Sequence, residues 1–225
     1  MRIARIFATG IAAMTLMHDI ASPAARAEPP AVAVGRFSSG DLAGWTETAF
    51  VGRTRYDVVP LGGAGPLALR AEAQASASGY CRDIEIDLRR TPVVAWSWQM
   101  DRGPAGLDER RKSGDDHPLR LYFVHRAGLF GSASRAIAYV WSLGEPAGTA
   151  WANPFAREVM QLAVDSGTAA AGSMQHHARD LRADFRALSG IDVDRIDTVC
   201  LMTDSDQSGA DSKGWYGDIS FRDKP

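Results

Sequence analysis

The chain has 225 residues, a formal net charge of −2 and two cysteines. Its longest basic run is Arg110–Lys112, which is too short to form the basic patch that nucleic-acid-binding proteins present, so we exclude nucleic acid as a partner. The length fits a single domain, because all-β domains of about 200 residues are commonly undivided.

The first 27 residues match the pattern of a secretory signal peptide. Arg2 and Arg5 give a positive start, Ile6–Met17 is a short apolar run, and Ala25–Ala27 has the small-x-small pattern of a cleavage site. A membrane-spanning helix needs roughly 20 apolar residues, more than this run offers. The alternative is a buried N-terminal helix, but such a helix has nothing to pack against until Phe37. We predict three parts: a signal peptide at 1–27, a flexible leader at 28–35, and a single domain at 36–225.

The leader predicts a periplasmic or secreted protein. No later segment is long and apolar enough to cross a membrane, so we expect no membrane-spanning segment in the mature chain. In an oxidising compartment Cys81 and Cys200 are able to form a disulfide that stabilises the fold. Two free buried thiols are the alternative, and no Cys/His spacing suggests a zinc site.

Most of the chain alternates hydrophobic with polar residues, as half-buried β-strands do. In CRDIEIDL (81–88), three acidic residues alternate with three aliphatic ones. Similar segments, rich in β-branched and aromatic residues, occur at 92–100, 119–125, 136–142, 158–167, 196–204 and 215–221, with about three more between residues 45 and 73. We therefore predict an all-β fold, a jelly-roll β-sandwich.

One segment has helical periodicity instead. Leu181, Phe185 and Leu188 recur at i, i+4 and i+7 within 177–190, and Gly190 is placed to cap the C-terminus. We predict one short amphipathic helix across the sandwich. The longest polar connections, at 101–118 and 143–157, are where a scaffold of this kind tends to carry its function.

Several phrases of the sequence together resemble a bacterial family catalogued as domain of unknown function 3047. They are GDDHPLRLYFV (114–124), AYVWS (138–142), GTAWANPF (148–155), ARDLRADFRALSG (178–190) and LMTDSDQSGADSKGWYGDISF (201–221). The resemblance covers roughly residues 36–222. It implies an exported β-sandwich similar in layout to the galactose-binding-like jelly rolls of carbohydrate-binding modules, and it implies no established activity.

The stretch DSDQSG (204–209) begins like a calcium-binding loop. Asp204, Asp206 and Ser208 occupy the first, third and fifth positions of an EF-hand, but Trp215 stands where a bidentate Glu is needed, so an EF-hand is excluded. Three alternatives remain: a strand-ending turn held by short polar side chains, a calcium site completed by a distant carboxylate, or a ligand contact. Calcium is the single cofactor that the sequence suggests.

Acidic residues also line one face of the predicted strand at 81–88. Asp83, Glu85 and Asp87 are spaced like the catalytic carboxylates of a jelly-roll glycosidase group, in which two carboxyl groups flank the scissile bond. Both ends carry Asp where Glu is expected. The alternative is a charged face that protects a strand edge from aggregation.

A third polar group precedes and enters the strand at 119–125. Asp115 and Asp116 come just before it, and Arg120 and Tyr122 share one face of it. These residues form either a structural ion pair or a binding site for a polar ligand such as a sugar.

Trp151 lies beside Asn153 in a predicted loop, where it is either a stacking platform for a sugar ring or a plug at the end of the sandwich. His176 and His177 open the predicted helix and are expected to be surface or capping residues. No nucleophile motif is present. Alternation with aliphatic residues predicts core positions for Trp96, Trp98, Tyr139 and Trp141.

We therefore predict an exported, non-catalytic protein that binds a saccharide or another polar component of the cell envelope. The alternatives are a glycoside hydrolase or lyase, which would use the Asp83 face or the pair Asp115 and Asp116, and a structural or assembly protein of the envelope. The predicted ligand-binding residues are Asp115, Asp116, Arg120, Tyr122, Trp151, Asn153, Arg179, Asp204 and Asp206.

Overall fold

Two β-sheets and one α-helix make up the structure, a computed structural model that describes residues 31–128 and 133–224. One sheet has six strands and the other has seven. The prediction of an all-β sandwich with one helix is confirmed.

The strands in chain order are β1 Val32–Gly35, β2 Trp45–Val51, β3 Arg55–Pro60, β4 Leu67–Gln74, β5 Ala77–Asp87, β6 Val93–Arg102, β7 Leu119–His125, β8 Arg135–Ser142, β9 Ala150–Ala152, β10 Val159–Ser166, β11 Gln175–Asp180, β12 Arg195–Asp204 and β13 Asp211–Arg222, and the helix is α1 Leu181–Ser189. The six-stranded sheet has the order β11-β6-β13-β4-β3, with β1 paired to β13, and the seven-stranded sheet has the order β2-β5-β12-β7-β8-β10-β9. The alternating segments of the sequence correspond to β2 to β8, β10, β12 and β13. Three strands, β1, β9 and β11, were not predicted.

The core lies between the two sheets and is rich in aromatic rings. Trp96 stacks on Tyr139 at 5.1 Å between centroids, and Trp98 lies 6.4 Å from Trp141. All four side chains are buried, which confirms their predicted positions. Because aromatic side chains bury large apolar areas, these contacts between sheets supply much of the driving force for folding.

The helix is shorter than predicted. Residues 175–180 form β11 and pair with β6, so the helix begins at Leu181 and not near residue 177. Asp180 caps it by accepting a hydrogen bond from the N–H of Ala183 at 2.9 Å, and Gly190 ends it in the left-handed conformation, as predicted. His177 points its ring onto Trp96, 4.9 Å between centroids, because it alternates as a strand residue.

The domain begins earlier than predicted. The sequence predicts a flexible leader at 28–35, but residues 32–35 form β1 and pair with β13. Val34 is fully buried, so its contribution to the core explains the difference. The predicted signal peptide, residues 1–27, lies outside the described residues.

Cys81 and Cys200 form a disulfide, which decides between the two alternatives of the sequence analysis. The two residues face each other directly in the antiparallel pairing of β5 with β12. The bridge therefore ties two central strands of the seven-stranded sheet across a sequence separation of 119 residues.

One pair of neighbouring strands is parallel: β10 runs alongside β8 from Val159, opposite Ala136, to Ser166, opposite Ser142. Two neighbouring parallel strands need a connection that returns the chain to the end of the sheet where the first strand began. The return segment, residues 143–158, contains β9 and places a hairpin loop over the outer face of the sheet. Within the described residues, no helix is long and apolar enough to span a membrane.

Candidate functional site

A groove of about 600 Å³ crosses the outer face of the seven-stranded sheet. Its floor is formed by β5, β12 and β7. Along these strands every second side chain faces the core, and the side chains between them point outward into the groove. Leu121 and Phe123 face the core, whereas Tyr122 and Val124 line the groove. The Cys81–Cys200 disulfide lies in the floor.

The walls of the groove hold the most exposed large apolar side chains. Phe50 and Val51, at the end of β2, are 65% and 48% exposed, and Phe155, in the β9–β10 hairpin loop, is 55% exposed. These are three of the four exposed large hydrophobic residues in the described part of the chain, and the fourth, Val32, lies elsewhere. Such clustering marks a binding surface, whereas scattered exposed apolar residues need no explanation.

Gly79 keeps the floor low beneath Phe50. A Cβ at this position would lie 3.6 Å from the Phe50 ring and 3.6 Å from Sγ of Cys81, which is ordinary contact distance. The missing side chain therefore gives the groove part of its depth.

One end of the groove closes on a buried charged network centred on Arg120. Its Nη1 donates to Oδ2 of Asp115 at 3.2 Å, and its Nη2 donates to Oδ2 of Asp204 at 2.5 Å and to the main-chain carbonyl of Asp115. Nη1 also lies 3.1 Å from the Tyr122 hydroxyl and 3.2 Å from Oε1 of Gln161. Arg120 is 1% exposed, so this charge depends on its protein partners.

The network shifts the pKa values of its carboxyl groups in opposite directions. Burial raises the pKa of Asp204 to about 6, although the Arg120 charge and the hydrogen bond from the His117 N–H act against it. Burial also acts to raise the pKa of Asp115, but the Arg120 charge, the His117 ring and the hydrogen bond from Gln161 outweigh it and hold that pKa well below its usual range. Burial raises the pKa of Tyr122 to about 12, so the phenol is neutral and accepts from Arg120.

Asn153 connects this network to the groove wall. Its Nδ2 donates to Oδ2 of Asp115 at 2.9 Å, and its Oδ1 accepts from the N–H groups of Phe155 and Ala156 at 2.9 and 3.0 Å. The buried network thereby fixes the loop that presents the Phe155 ring.

The second long loop is fixed by a buried carboxylate. Glu109 accepts hydrogen bonds from the Ser142 hydroxyl and from the N–H groups of Leu143 and Gly144. Loop 101–118 is therefore attached to the end of β8, next to the connection that carries the groove wall.

The DSDQSG stretch forms a turn that Asp116 holds from the neighbouring loop. Its two carboxylate oxygens accept from the N–H groups of Gln207 and Ser208 at 3.2 and 2.7 Å. One carboxylate oxygen from each of Asp116, Asp204 and Asp206 lies within 4.8 Å of the others, but both oxygens of Asp204 are also occupied, by Arg120 and the His117 N–H. These contacts fit the turn interpretation better than a divalent ion, because Arg120 already supplies the positive charge. The calcium site stays a prediction.

The structure brings six of the nine predicted ligand-binding residues to the groove: Asp115, Arg120, Tyr122, Asn153, Asp204 and Asp206. Asp116 is buried behind them as the anchor of the turn. Two residues lie elsewhere, and the prediction that they join the same hollow is wrong.

Trp151 belongs to β9 and not to a loop, and its side chain is buried. Its Nε1 donates to the main-chain carbonyl of Glu109 at 3.2 Å, and its ring lies 6.1 Å from that of His117. The indole packs under loop 101–118, so it does not offer a stacking face. Arg179 lies on β11 at the edge of the other sheet, where it pairs with Asp184 at 2.7 Å.

Each carboxylate on the acidic face of β5 forms an ion pair with an arginine. Asp83 and Glu85 are exposed, and Asp83 is bonded to Arg126 and Thr198. Hydrogen bonds from Thr198 and Arg126 lower the pKa of Asp83, and those from Arg89 lower the pKa of Asp87. A general acid needs a raised pKa, so these contacts favour the charged-face interpretation.

Several residues of the site were not predicted from the sequence, among them Phe50, Gly79, Phe155 and Gln161. Gln161 was detectable, because it is the one polar residue in the apolar run VMQLAV (159–164) and a buried amide needs partners. The exposure of the two Phe rings depends on loop positions that periodicity does not determine.

Comparison with known proteins identifies the family. The model of the family described as "Protein of unknown function (DUF3047)" matches residues 43–220, which is well over half of the chain. The chain belongs to the DUF3047 family. No curated protein matches this DUF3047 chain.

Solved structures similar to the DUF3047 chain are distant. The carbohydrate-binding module TmCBM61, in complex with β-1,4-galactotriose, is 10% identical with a TM-score of 0.42, and the match covers 84% of this chain and 94% of that one. The glycoside hydrolase domain of Endo-D from Streptococcus pneumoniae R6 is 10% identical with a TM-score of 0.41, covering 80% and 22%. An exo-β-agarase is 10% identical with a TM-score of 0.39, covering 86% and 25%.

Proposed function

We propose that this protein is exported and binds a saccharide in the groove of the seven-stranded sheet, without catalysing a reaction. The observation that carries the proposal is the clustering of Phe50, Val51 and Phe155 on the two sides of one preformed groove. Ligand sites are mainly apolar concavities with a few polar groups that set orientation, and this groove has that composition.

A sugar ring matches both the apolar walls of the groove and the polar groups at its closed end. Its C–H faces are apolar and suit contact with the exposed Phe rings, and its hydroxyl groups suit the polar groups at the closed end. Asp206 and Gln207 lie in the wall and Tyr122 in the floor. A longer apolar ligand would leave these polar groups without partners.

The polar groups favour binding over catalysis. Hydrolysis of a glycosidic bond needs two carboxyl groups on opposite sides of the substrate. Here three carboxylates line the groove: Asp115 and Asp204 bond to the same guanidinium, and Asp206 lies in the turn directly after Asp204. This arrangement stiffens the site and gathers the carboxylates around one guanidinium instead of placing them across the groove from each other.

The test is a glycan array on the mature protein, followed by titration calorimetry with the best saccharide. Phe155→Ala is expected to lower affinity about tenfold, as the loss of an aromatic anchor does at other interfaces. Gly79→Val is expected to abolish binding, because the added methyl groups fill the floor while a β-branched residue suits the strand. Val32→Ala removes an exposed apolar side chain outside the groove and is the matched control.

Two results would reject the proposal: binding to no saccharide on the array, or unchanged affinity of Gly79→Val in a variant that keeps the wild-type melting temperature. Export is tested separately. The full chain expressed in a bacterium is expected to yield a periplasmic or secreted protein whose mass shows loss of residues 1–27.

A further inference from the structure

A cationic cleft of about 680 Å³ lies beside the groove, on the other side of the β9–β10 hairpin loop. It is lined by Arg110, Arg111 and Lys112 from loop 101–118 and by Arg157 from the hairpin loop. Asn153 lines both the cleft and the groove, so the two sites are neighbours across a single short loop.

Two of the four cations are already neutralised. Arg110 forms a bidentate pair with Glu145, with N–O distances of 2.7 and 2.8 Å, and Arg111 pairs with Asp108 at 2.8 Å. Lys112 and Arg157 have no carboxylate partner within the described ranges 31–128 and 133–224. The uncompensated charge of the cleft therefore rests on these two residues.

The free charges adjoin the aromatic wall of the groove. Nζ of Lys112 lies 5.2 Å from the centre of the Phe155 ring, and Arg157 is two residues beyond Phe155 in the same loop. A ligand that contacts the Phe155 ring is thus within reach of two unpaired cations. Among its described lining residues the groove itself offers no free cation, because its one guanidinium is paired with Asp115 and Asp204, and Asp206 adds a negative charge, which disfavours a further negative charge there.

We infer that the saccharide is acidic: its sugar ring contacts Phe155 and its carboxylate pairs with Arg157 and Lys112. This inference rests on the proposed function and specifies the class of its ligand. Arginine suits the task, because its planar guanidinium matches a carboxylate in two hydrogen bonds. The free cations line the cleft and Asp206 lines the groove, so the acid is expected toward the cleft and the hydroxyl groups toward Asp206.

The experiment compares trigalacturonate with its methyl ester, which has the same rings without the charges. The wild-type protein is expected to prefer the acid, and its affinity for the acid is expected to fall with added salt. The double variant Lys112→Gln with Arg157→Gln is expected to lose about tenfold in affinity for the acid, since exposed pairs contribute up to about fivefold each. Binding of the ester is expected to stay unchanged.

Arg90→Gln is the control, because Arg90 is an exposed cation in the turn after β5, outside the groove and the cleft. Equal binding of acid and ester, unaffected by the double variant, would overturn the inference while leaving the saccharide proposal in place. Acid binding that survives Gly79→Val but not the double variant would also overturn it, because the cleft would then act without the groove.

Failure of every saccharide on the array would reject the proposed function and this inference together. Binding of the protein to phosphatidylglycerol vesicles, lost in the double variant, without any saccharide binding would show that the cleft serves a lipid surface instead. Each of these outcomes is read by calorimetry or by vesicle sedimentation on the folded full-length mature chain.

Discussion

On the outer face of the six-stranded sheet, Arg70 forms a bidentate pair with Asp57 at 2.9 and 2.6 Å, and its side chain is 21% exposed. On the outer face of the seven-stranded sheet, Arg120 pairs with Asp115 and Asp204 and is 1% exposed. Both arginines sit at outward positions of ordinary antiparallel strands. The difference arises from loops 101–118 and 143–157, which cover the second face and leave the first open to water.

The comparison shows that a strand position alone does not determine what a charged pair contributes to stability. A solvent-exposed pair is screened and contributes little. A buried pair depends on every partner, because an unpaired charge in the interior is costly. The outer face of the seven-stranded sheet, which the two loops cover, therefore holds both the groove and the rigid network around Arg120.

The largest expected effect is the loss of the buried cation. Arg120→Met leaves Asp115 and Asp204 in the interior without their counter-ion, so we expect a loss of about 3–5 kcal/mol in the free energy of unfolding. Urea unfolding followed by tryptophan fluorescence measures it. A loss below about 1 kcal/mol would show that the covered face behaves like the open one.

The disulfide in the groove floor is expected to contribute slightly less. Cys81→Ala with Cys200→Ala removes a cross-link that closes a long loop, which typically lowers the free energy of unfolding by about 2–4 kcal/mol. The measurement is urea unfolding of the double variant, with the wild-type protein in dithiothreitol as a chemical control. Equal stability in all three samples would contradict the expectation.

The pH dependence of stability tests the network directly. The pKa of Asp204 is raised to about 6, so between about pH 4 and pH 6 the folded state holds a proton that the unfolded state has lost. The stabilisation by this extra proton is present below about pH 4 and is lost as the pH rises through 6, a decline of about 3 kcal/mol in the free energy of unfolding. Asp115 has the opposite shift, and its stabilising contribution is lost only as the pH falls below about 4.

Urea unfolding of the wild type and of Asp204→Asn at several pH values separates this effect from the other carboxyl groups. The wild-type stability is expected to fall relative to the variant as the pH rises from about 4 to 7. Parallel curves for the two proteins would show that Asp204 does not titrate in this range.

The smallest expected effect lies on the open face. Arg70→Gln breaks the pair with Asp57 and is expected to lower the free energy of unfolding by less than about 1 kcal/mol. This loss is expected to shrink in high salt. Differential scanning calorimetry at low and high salt measures it. A cost equal to that of Arg120→Met would remove the contrast between the two faces.

The strands were predictable because alternation reports directly on a face that is buried. The strand β7 matches its predicted limits, and the core positions of Trp96 and Trp98 followed from spacing alone. The strand β11 was missed because its residues continue without a break into an amphipathic helix, and the short β9 lies within a stretch that has loop composition.

The site was predictable only in part. The sequence motifs pointed to Arg120, Asp115 and Asp204, since a charged residue inside an apolar strand needs partners. The position of Trp151 was not predictable, because burial of that ring depends on loop 101–118 folding over it. The same holds for Phe155, whose exposure depends on the hairpin loop fixed by Asn153.

The parallel pairing of β8 with β10 allows proteins of this architecture to differ in ligand preference. The two strands are held in register by their own ladder, from Val159 opposite Ala136 onward, and do not need the hairpin loop at 153–158 to align them. Residues 154–158, which carry both the aromatic wall and a free cation, can therefore be exchanged without shifting the scaffold, provided that Asn153 keeps its hydrogen bonds to Asp115 and to the loop. A different specificity is reachable by changing this short segment, with the sandwich unchanged.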